Sequence, residues 1–238
     1  LGQTEKFYDL TGSITYISVT IMAALLGPNV GGRSILLSAL VVIWAGRLGF
    51  FLFRRIHKAG TDARFDLIKV SFVRFLSAWT LQALWVTLTL AAALAAITSL
   101  NRKVLDVFAL IGLLVWILGF GIEVAADAQK SRFRKDPENK DRFIDSGLWS
   151  RSRHPNYLGE MVLWIGVMII ALPVLQGWQW ATLISPVFVI LLLTRISGVP
   201  ILERRADEKW GGQREYEAYK AQTPILIPRF SRQRPMTS

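Results

Sequence analysis

Cysteine is absent from this chain of 238 residues, and histidine occurs only at His57 and His154. The lack of thiols excludes disulfide bonds and thiolate metal sites, and two histidines are too few for a histidine-rich metal centre. We therefore predict no bound metal. Acidic side chains are also scarce, since 17 Asp and Glu stand against 28 Lys and Arg and leave a formal charge of +11.

Glycine-rich phosphate loops, internal repeats and low-complexity tracts are missing as well. Gly119 and Gly121 flank one phenylalanine inside an apolar stretch, without the strand and turn that a P-loop or a Rossmann fingerprint requires. We predict that these glycines serve helix packing. Any dinucleotide is then expected to bind without a Rossmann fold.

Long apolar runs are what the chain has in abundance: 52% of its residues are hydrophobic, and the mean hydropathy is +0.37. Six runs approach the roughly 20 residues that cross a bilayer core; they are residues 12–30, 34–53, 72–97, 104–122, 157–175 and 178–196. The pattern predicts an all-α integral membrane protein, a bundle of about six to seven transmembrane helices with cytoplasmic loops. The chain starts at Leu1 rather than at methionine, which leaves room for a seventh helix upstream.

The basic residues fall almost wholly into alternate loops, on the side that holds both termini. Only Arg33, Arg102 and Lys103 fall on the other side, and Arg47 lies inside a span. The positive-inside rule then predicts cytoplasmic N- and C-termini. Because the charge orients the protein against membrane lipid, we predict no nucleic-acid partner. We see no cleavable signal peptide, since charged residues precede the first apolar run.

Most of the polar sequence lies in three segments on the predicted cytoplasmic side, residues 54–69, 127–154 and 202–238. We expect the working surface there, within a single domain that covers residues 1–238. Residues 201–221 have the composition of an amphipathic C-terminal helix at the membrane surface. Gly211 and Gly212 are predicted to break this helix in two, and Pro224 and Pro228 to end it.

The segment 151–160 carries two arginines, a histidine, an amide, a phenol and a carboxylate directly before an apolar run. A positively charged flank followed by a helix start would explain the arginines and Pro155. It would not explain Asn156, Tyr157 and Glu160 together. This much polar chemistry at the mouth of a membrane helix therefore predicts a ligand site.

Other polar residues allow two interpretations each. Arg47 lies deep in its span, where it either faces a polar cavity or extends its charge to the membrane surface. Glu123 and Asp127 share one helical face. They suit an acid–base pair, a cation site or hydrogen bonds to ribose or amide groups, or else a helix end paired with Lys130 and Arg134. Six cations between residues 127 and 142, in a predicted loop, suit either a phosphorylated ligand or a patch against the membrane.

A family resemblance arises from a series of short motifs. They are Asp127-x-x-Lys130, Phe133-Arg134, Pro137-x-Asn139, Gly147-Leu-Trp149, Ser152-Arg-His-Pro-Asn-Tyr-Leu-Gly-Glu160, Leu202-Glu203, Trp210-Gly211, Tyr216-x-x-Tyr219 and Thr223-Pro-x-Leu-Ile-Pro228. Over residues 112–230, and at Arg47-Leu48 and Asp62-x-Arg64, the chain resembles the steroid 5α-reductase family, most closely its bacterial members of the DUF1295 type. The His-Pro-x-Tyr element with its following glycine also resembles isoprenylcysteine carboxyl methyltransferases.

The resemblance implies an NADPH-dependent reductase of an activated carbon–carbon double bond in a hydrophobic substrate, such as a 3-oxo-Δ4 steroid or a lipid-like enone. Residues 104–238 would form the cofactor-binding half and residues 1–103 the substrate-side helices. An acid near the carbonyl oxygen would stabilise the enolate that develops.

The resemblance also assigns candidate cofactor residues. They are Arg47, Glu123, Asp127, Lys130, Arg134, Arg142, His154, Asn156, Tyr157, Glu160, Glu203, Arg204 and Tyr219. Arg134, Arg142 and Lys130 would hold the phosphates, and Asn156 and Glu160 the carboxamide end. Glu123 stands where the family has an asparagine.

The N-terminal half departs from the steroid-reducing members. It lacks their Gln-Glu pair, and Trp44 stands about where they have a tyrosine. Because indole cannot act as a general acid, Tyr8 and Asp9 at the entry to the first span are the candidate catalytic residues. The substrate's identity stays open.

Two alternatives to the reductase remain at this point. A membrane methyltransferase would use S-adenosylmethionine on a lipid or prenylated substrate, and without a phosphate in its cofactor it would not need Arg134 or Arg142. A lipid-binding or scaffold protein would use the same cations on anionic lipid. It would tolerate replacement of Asn156 and Glu160.

Overall fold

A computed structural model describes residues 8–28, 30–59, 71–101 and 103–228, without the side chains of residues 9 and 55–59. Its α-helices are α1 (Tyr8–Leu26), α2 (Gly32–Ala59), α3 (Phe72–Ile97), α4 (Val107–Phe133), α5 (Pro155–Ala171), α6 (Ile184–Leu191), α7 (Val199–Trp210) and α8 (Arg214–Gln222). Short 3-10 helices cover Pro137–Asn139, Gly147–Ser150, Leu172–Val174 and Gly177–Leu183, and a π-helical turn covers Leu192–Ile196. The described residues contain no strand.

Five helices in the described ranges are long and apolar enough to cross a membrane. They cover Gly32–Arg54, Phe72–Ile97, Val107–Phe133, Pro155–Val174 and Gly177–Trp210, and Leu10–Leu26 is a shorter apolar helix. The predicted class, an all-α membrane protein, is confirmed. The predicted break of the C-terminal helix is also confirmed, since α7 ends and α8 begins on either side of Gly211 and Gly212.

One predicted boundary is wrong. The loop after the fourth span was expected to begin at residue 127, but α4 stays helical to Phe133. The sequence from Glu123 onward consists of good helix formers without glycine or proline, so nothing stops the helix. Asp127 and Lys130 therefore lie on a helix rather than in a loop.

The chain forms two compact units. The first comprises Leu1–Leu113 and Gly166–Phe188, and the second comprises Leu114–Ile165 and Val189–Ser238. In the first unit α1 packs on α2, with the Tyr16 and Trp44 rings edge to face at 5.1 Å between centroids. Tyr16 and Trp44 are both buried, so this contact belongs to the interior of that unit.

Arg33, near the start of α2, is a buried cation of the first unit. Its guanidinium donates to the backbone oxygens of Ile170 at 2.6 Å and Val104 at 2.9 Å. It also pairs with the Asp106 carboxylate at 3.0 Å. One side chain thus ties the start of α2 to the end of α5 and to the segment before α4. Sequence reasoning counted Arg33 only as a charge on the less basic side.

In the second unit α4 and α5 approach each other closely at two glycines. A Cβ added at Gly159 would lie 2.5 Å from the Gly119 carbonyl oxygen and 2.6 Å from the Glu123 nitrogen. A Cβ at Gly119 would lie 2.4 Å from the Leu163 nitrogen. Helix packing is therefore confirmed for Gly119, whereas a Cβ at Gly121 would meet nothing within 4 Å.

Replacing Gly159 with alanine is expected to destabilise the protein by about 1–3 kcal/mol, because backbone atoms on the facing helix cannot move aside. Gly121→Ala is the matched control and is expected to be neutral or stabilising by about 0.5–1 kcal/mol, since it fills open space in a helix. Unfolding of the detergent-purified variants by SDS measures both changes. Equal stability of the two variants would contradict the close packing.

Candidate functional site

The start of α5 is paired with a segment near the C-terminus, within the second unit. The backbone nitrogens of Arg153 and His154 donate to the carbonyl oxygens of Pro224 at 2.9 Å and Ile225 at 3.1 Å. Pro155 then begins α5, where a missing amide hydrogen costs nothing because the first helical residues have no intrahelical acceptor. The predicted ligand motif is thus held at the mouth of α5 by residues about 70 positions away.

Two side chains of this motif share one carboxylate on α7. Glu203 accepts from the Arg153 guanidinium at 2.5 Å through one oxygen and contacts His154 Nε2 at 2.6 Å through the other. Arg153 keeps 12% and His154 6% of its side chain exposed, so both contacts are largely shielded from water. A carboxylate placed between two donors at these distances fixes α7 against the start of α5.

The His154 ring has different surroundings at its two nitrogens. A neutral ring that donates from Nε2 to Glu203 leaves Nδ1 as an acceptor, and Nδ1 is buried without a hydrogen-bond partner among the described residues. Burial lowers the pKa of His154 below its ordinary value, although the Glu203 hydrogen bond opposes that shift. The ring is therefore neutral at neutral pH, and its stacking on the Tyr157 ring at 5.7 Å holds its plane.

The lowered pKa predicts a loss of stability in acid. Above the ordinary value of 6.5 neither state carries the proton, and the contribution of His154 is fully present. As the pH falls below 6.5, His154 binds a proton in the unfolded chain but stays neutral in the folded chain. The free energy of unfolding therefore falls until the pH passes below the folded-state pKa. The melting temperature in detergent should fall across that window. His154→Gln should flatten the fall, and an unchanged pH slope in this variant would contradict the assignment.

Glu123 and Asp127 lie on successive turns of α4 and are 3% and 7% exposed. Asn156, on the first turn of α5, donates through Nδ2 to the Asp127 carboxylate at 3.3 Å. The Asn156 Oδ1 atom is buried and accepts no hydrogen bond from any described residue. Such an atom carries a desolvation cost that a donor on a ligand would offset.

Four charged residues form a stripe along one face of α4 and its last turn. They are Glu123, Asp127, Lys130 and Arg134, and their spacings of four, three and four place them on the same helical face. The Arg134 nitrogen donates to the Lys130 oxygen at 3.1 Å, so the helical register persists to Arg134. Exposure rises along the stripe from buried carboxylates to a half-buried Lys130 and an exposed Arg134.

Trp149 contacts α4 at the middle of this stripe. The sequence analysis did not name it as a site residue. The Lys130 ammonium lies 4.3 Å from the centre of its indole ring. The indole nitrogen donates to Ala126 at 3.1 Å, and Tyr219 donates to the Trp149 carbonyl at 2.7 Å. Burial raises the pKa of Tyr219, so its hydroxyl stays a donor. The glycine-leucine-tryptophan motif was visible in the sequence, but its contacts were not.

The other candidates of the second unit differ in exposure. Arg142 is exposed, Glu160 is half-buried, and Arg204 is exposed and pairs with Glu208 at 3.8 Å. Arg153 was interpreted only as flanking charge. A charged residue that pairs with a position 50 residues away gives no local signal, so only the structure reveals its partner.

Three candidates lie in the first unit. The Arg47 guanidinium is over the Phe51 ring at 5.4 Å, and the residue is half-buried. The Tyr8 hydroxyl donates to the Ala78 carbonyl at 2.9 Å, and its ring packs on Trp79. The Asp9 side chain and residues 60–70, which include Asp62 and Arg64, lie outside the described residues.

Comparison with known proteins gives a family. No curated protein matches the chain. A sequence model of the family described as "Protein of unknown function (DUF1295)" matches residues 1–223. The match covers both units almost completely, and the chain therefore belongs to the DUF1295 family.

Proposed function

We propose that this protein is an NADPH-dependent membrane reductase that acts on an activated carbon–carbon double bond in a hydrophobic substrate, similar to steroid 5α-reductases. The observation that supports it best is the graded stripe on α4. It covers about 16 Å of helix, the rise over the 11 residue steps from Glu123 to Arg134. Cations at its exposed end suit phosphates, and carboxylates with an amide at its buried end suit ribose and carboxamide groups.

The polar atoms at the buried end of the stripe suit a carboxamide group. Asn156 Oδ1 is a buried acceptor without a partner in the described chain, and a carboxamide NH₂ is a donor. Asp127 orients the Asn156 amide through the 3.3 Å hydrogen bond, so that Oδ1 keeps a fixed direction. In the proposal, Glu160 and Tyr157 lie along the same helix start and complete the polar wall, while His154 and Glu203 hold α7 in place.

The exposed end is assigned to the phosphates. Arg134 and Arg142 are both exposed, and Arg is suited to phosphate because its planar fork donates two parallel hydrogen bonds. Lys130 adds a compact positive charge, which is held in position by its contact with the Trp149 ring. The bound cofactor would supply a hydride to the β-carbon of the enone. The chain's part is to orient it and to exclude water.

In the proposal the substrate enters from the bilayer among the helices of the first unit, and the polar loops face the cytoplasm of a bacterium. In the proposal, Asp9 or Tyr8 supplies the proton or polarises the carbonyl of the substrate. Because the Tyr8 hydroxyl is occupied by the Ala78 carbonyl, it would have to exchange that acceptor for the substrate oxygen.

Turnover tests the proposal directly. Detergent-purified protein should consume NADPH only when an enone is added, first a 3-oxo-Δ4 steroid and then lipid-like enones, and mass spectrometry should find the saturated product. Methyl transfer from S-adenosylmethionine to a lipid, without NADPH consumption, would make the protein a methyltransferase instead.

Tyr8→Phe combined with Asp9→Asn is expected to lower kcat by about 100-fold or more, the contribution typical of a positioned general acid. NADPH affinity should stay unchanged, because neither residue belongs to the proposed cofactor site. Tyr16→Phe is a matched control for the lost hydroxyl. If the double variant kept its full turnover, neither residue would be catalytic. The proposed cofactor residues would be unaffected by that result.

A further inference from the structure

A π-helical turn, Leu192–Ile196, separates α6 from α7. The Ser197 nitrogen donates to the Leu192 oxygen at 2.9 Å, five residues back. Turns of this kind occur frequently at functional sites. Gly198 follows, and a Cβ there would lie 2.9 Å from the Tyr157 ring, so only glycine lets the chain pass at this distance. The chain is therefore packed tightly against the Tyr157 ring just after this turn.

An open groove of about 560 Å³ lies beside this turn, within the second unit. Its lining residues are Thr194, Arg195, Val199, Pro200, Ile225 and Leu226. The walls are apolar apart from Thr194 and Arg195. Ile196, Ile225 and Ile227 are 65%, 42% and 73% exposed, so a broad apolar surface surrounds the groove.

Arg195 gives this apolar groove a charged end. Its side chain is exposed and makes no ion pair or hydrogen bond with any residue of the described chain. It also lies within the apolar stretch Gly177–Trp210, which is long enough to cross a membrane. A cation in such a stretch is costly unless an anion or water meets it. Three neighbouring cations on α7 and α8 are already paired: Arg204 with Glu208 at 3.8 Å, Lys209 with Asp141 at 3.4 Å and Lys220 with Asp207 at 2.7 Å.

We propose that the groove binds a phospholipid with an anionic headgroup. The Arg195 fork would hold the headgroup phosphate through paired hydrogen bonds, while the Thr194 hydroxyl already donates to the Ile190 carbonyl at 2.6 Å. An acyl chain would lie along Val199, Pro200 and Ile225. A free anion would use the charge but leave the apolar walls exposed, whereas a phospholipid uses both features of the groove. The site is independent of the proposed reductase activity.

Native mass spectrometry of the detergent-purified chain tests the site, with phosphatidylglycerol and phosphatidylcholine as probes. The protein should retain phosphatidylglycerol about fivefold or more over phosphatidylcholine, the preference expected from one arginine near the headgroup. Arg195→Gln should abolish the preference. Arg205→Gln, which removes another exposed cation from α7, should leave it unchanged.

A second pair of variants tests the apolar wall. Ile225→Glu places a carboxylate in the groove at an exposed position and should lower phosphatidylglycerol retention by about fivefold, while Ile225→Leu should preserve it. Equal retention of both lipids by the unmodified protein, or a preference that survives Arg195→Gln, would overturn the proposal. So would displacement of the lipid by inorganic phosphate alone, since that would indicate a simple anion site.

Discussion

Alanine at both Arg134 and Arg142 is expected to weaken NADPH binding by about 100-fold. Each charge-assisted hydrogen bond to a phosphate is worth roughly 1.5–3 kcal/mol, and a factor of 100 corresponds to about 2.7 kcal/mol. Both side chains are exposed, so their removal should leave folding intact. NADH binding should fall less, because NADH carries one phosphate fewer. Isothermal titration calorimetry on the purified variants measures both affinities.

A matched control separates a cofactor site from general attraction by positive charge. Arg132 and Arg151 are also exposed arginines of the second unit, and neither is a candidate site residue. Arg132 lies two positions before Arg134, on the other side of the helical turn. Arg132→Ala with Arg151→Ala should change NADPH affinity by less than about twofold, as expected for screened surface charge. If both double variants weakened NADPH binding equally, the net charge of the surface rather than a specific site would determine the affinity.

Replacing Arg33 with leucine is expected to lower the free energy of unfolding by about 2–5 kcal/mol, because two backbone acceptors each lose their donor at a cost of roughly 1–3 kcal/mol. The change leaves the Ile170 and Val104 carbonyls without their donor and Asp106 without its cation. The cost falls on the first unit, which contains all four residues. SDS-induced unfolding of the detergent-purified protein measures it.

Lys103→Leu is the control for Arg33, because Lys103 is an exposed cation close to the same predicted membrane surface. It should change stability by less than about 0.5 kcal/mol, as surface substitutions usually do. Arg33→Lys should restore part of the loss, since an ammonium group can reach one acceptor but not three in the same geometry. If the Arg33→Leu variant were as stable as the unmodified protein, the contacts of Arg33 would contribute nothing to the free energy of unfolding.

The helices could be predicted from the sequence because their apolar runs have the length of a bilayer core, and the break between α7 and α8 because two glycines interrupt a polar helix. The end of α4 was missed because apolar character stops at Ile122 while helix propensity does not. Hydropathy reports where a chain meets lipid. It does not report where the backbone stops being helical.

The candidate site was only partly visible in the sequence. Helical spacing places Glu123 and Asp127 on one face, whereas the cations that follow were expected in a loop. The structure extends the stripe to Arg134 and adds its gradient of exposure. The contacts of Glu203 with Arg153 and His154 join positions about 50 residues apart, so no local pattern could reveal them. Arg151 and Arg153 look alike as flanking charges, yet one is exposed and the other lies in a shielded ion pair.

The most direct test of the central claim is calorimetric titration of the detergent-purified protein with NADPH, NADH and S-adenosylmethionine in parallel. Micromolar binding of NADPH, tighter than that of NADH and absent for S-adenosylmethionine, is the predicted result. Binding of S-adenosylmethionine without any binding of NADPH would contradict it, and the stripe from Glu123 to Arg134 would then need another ligand.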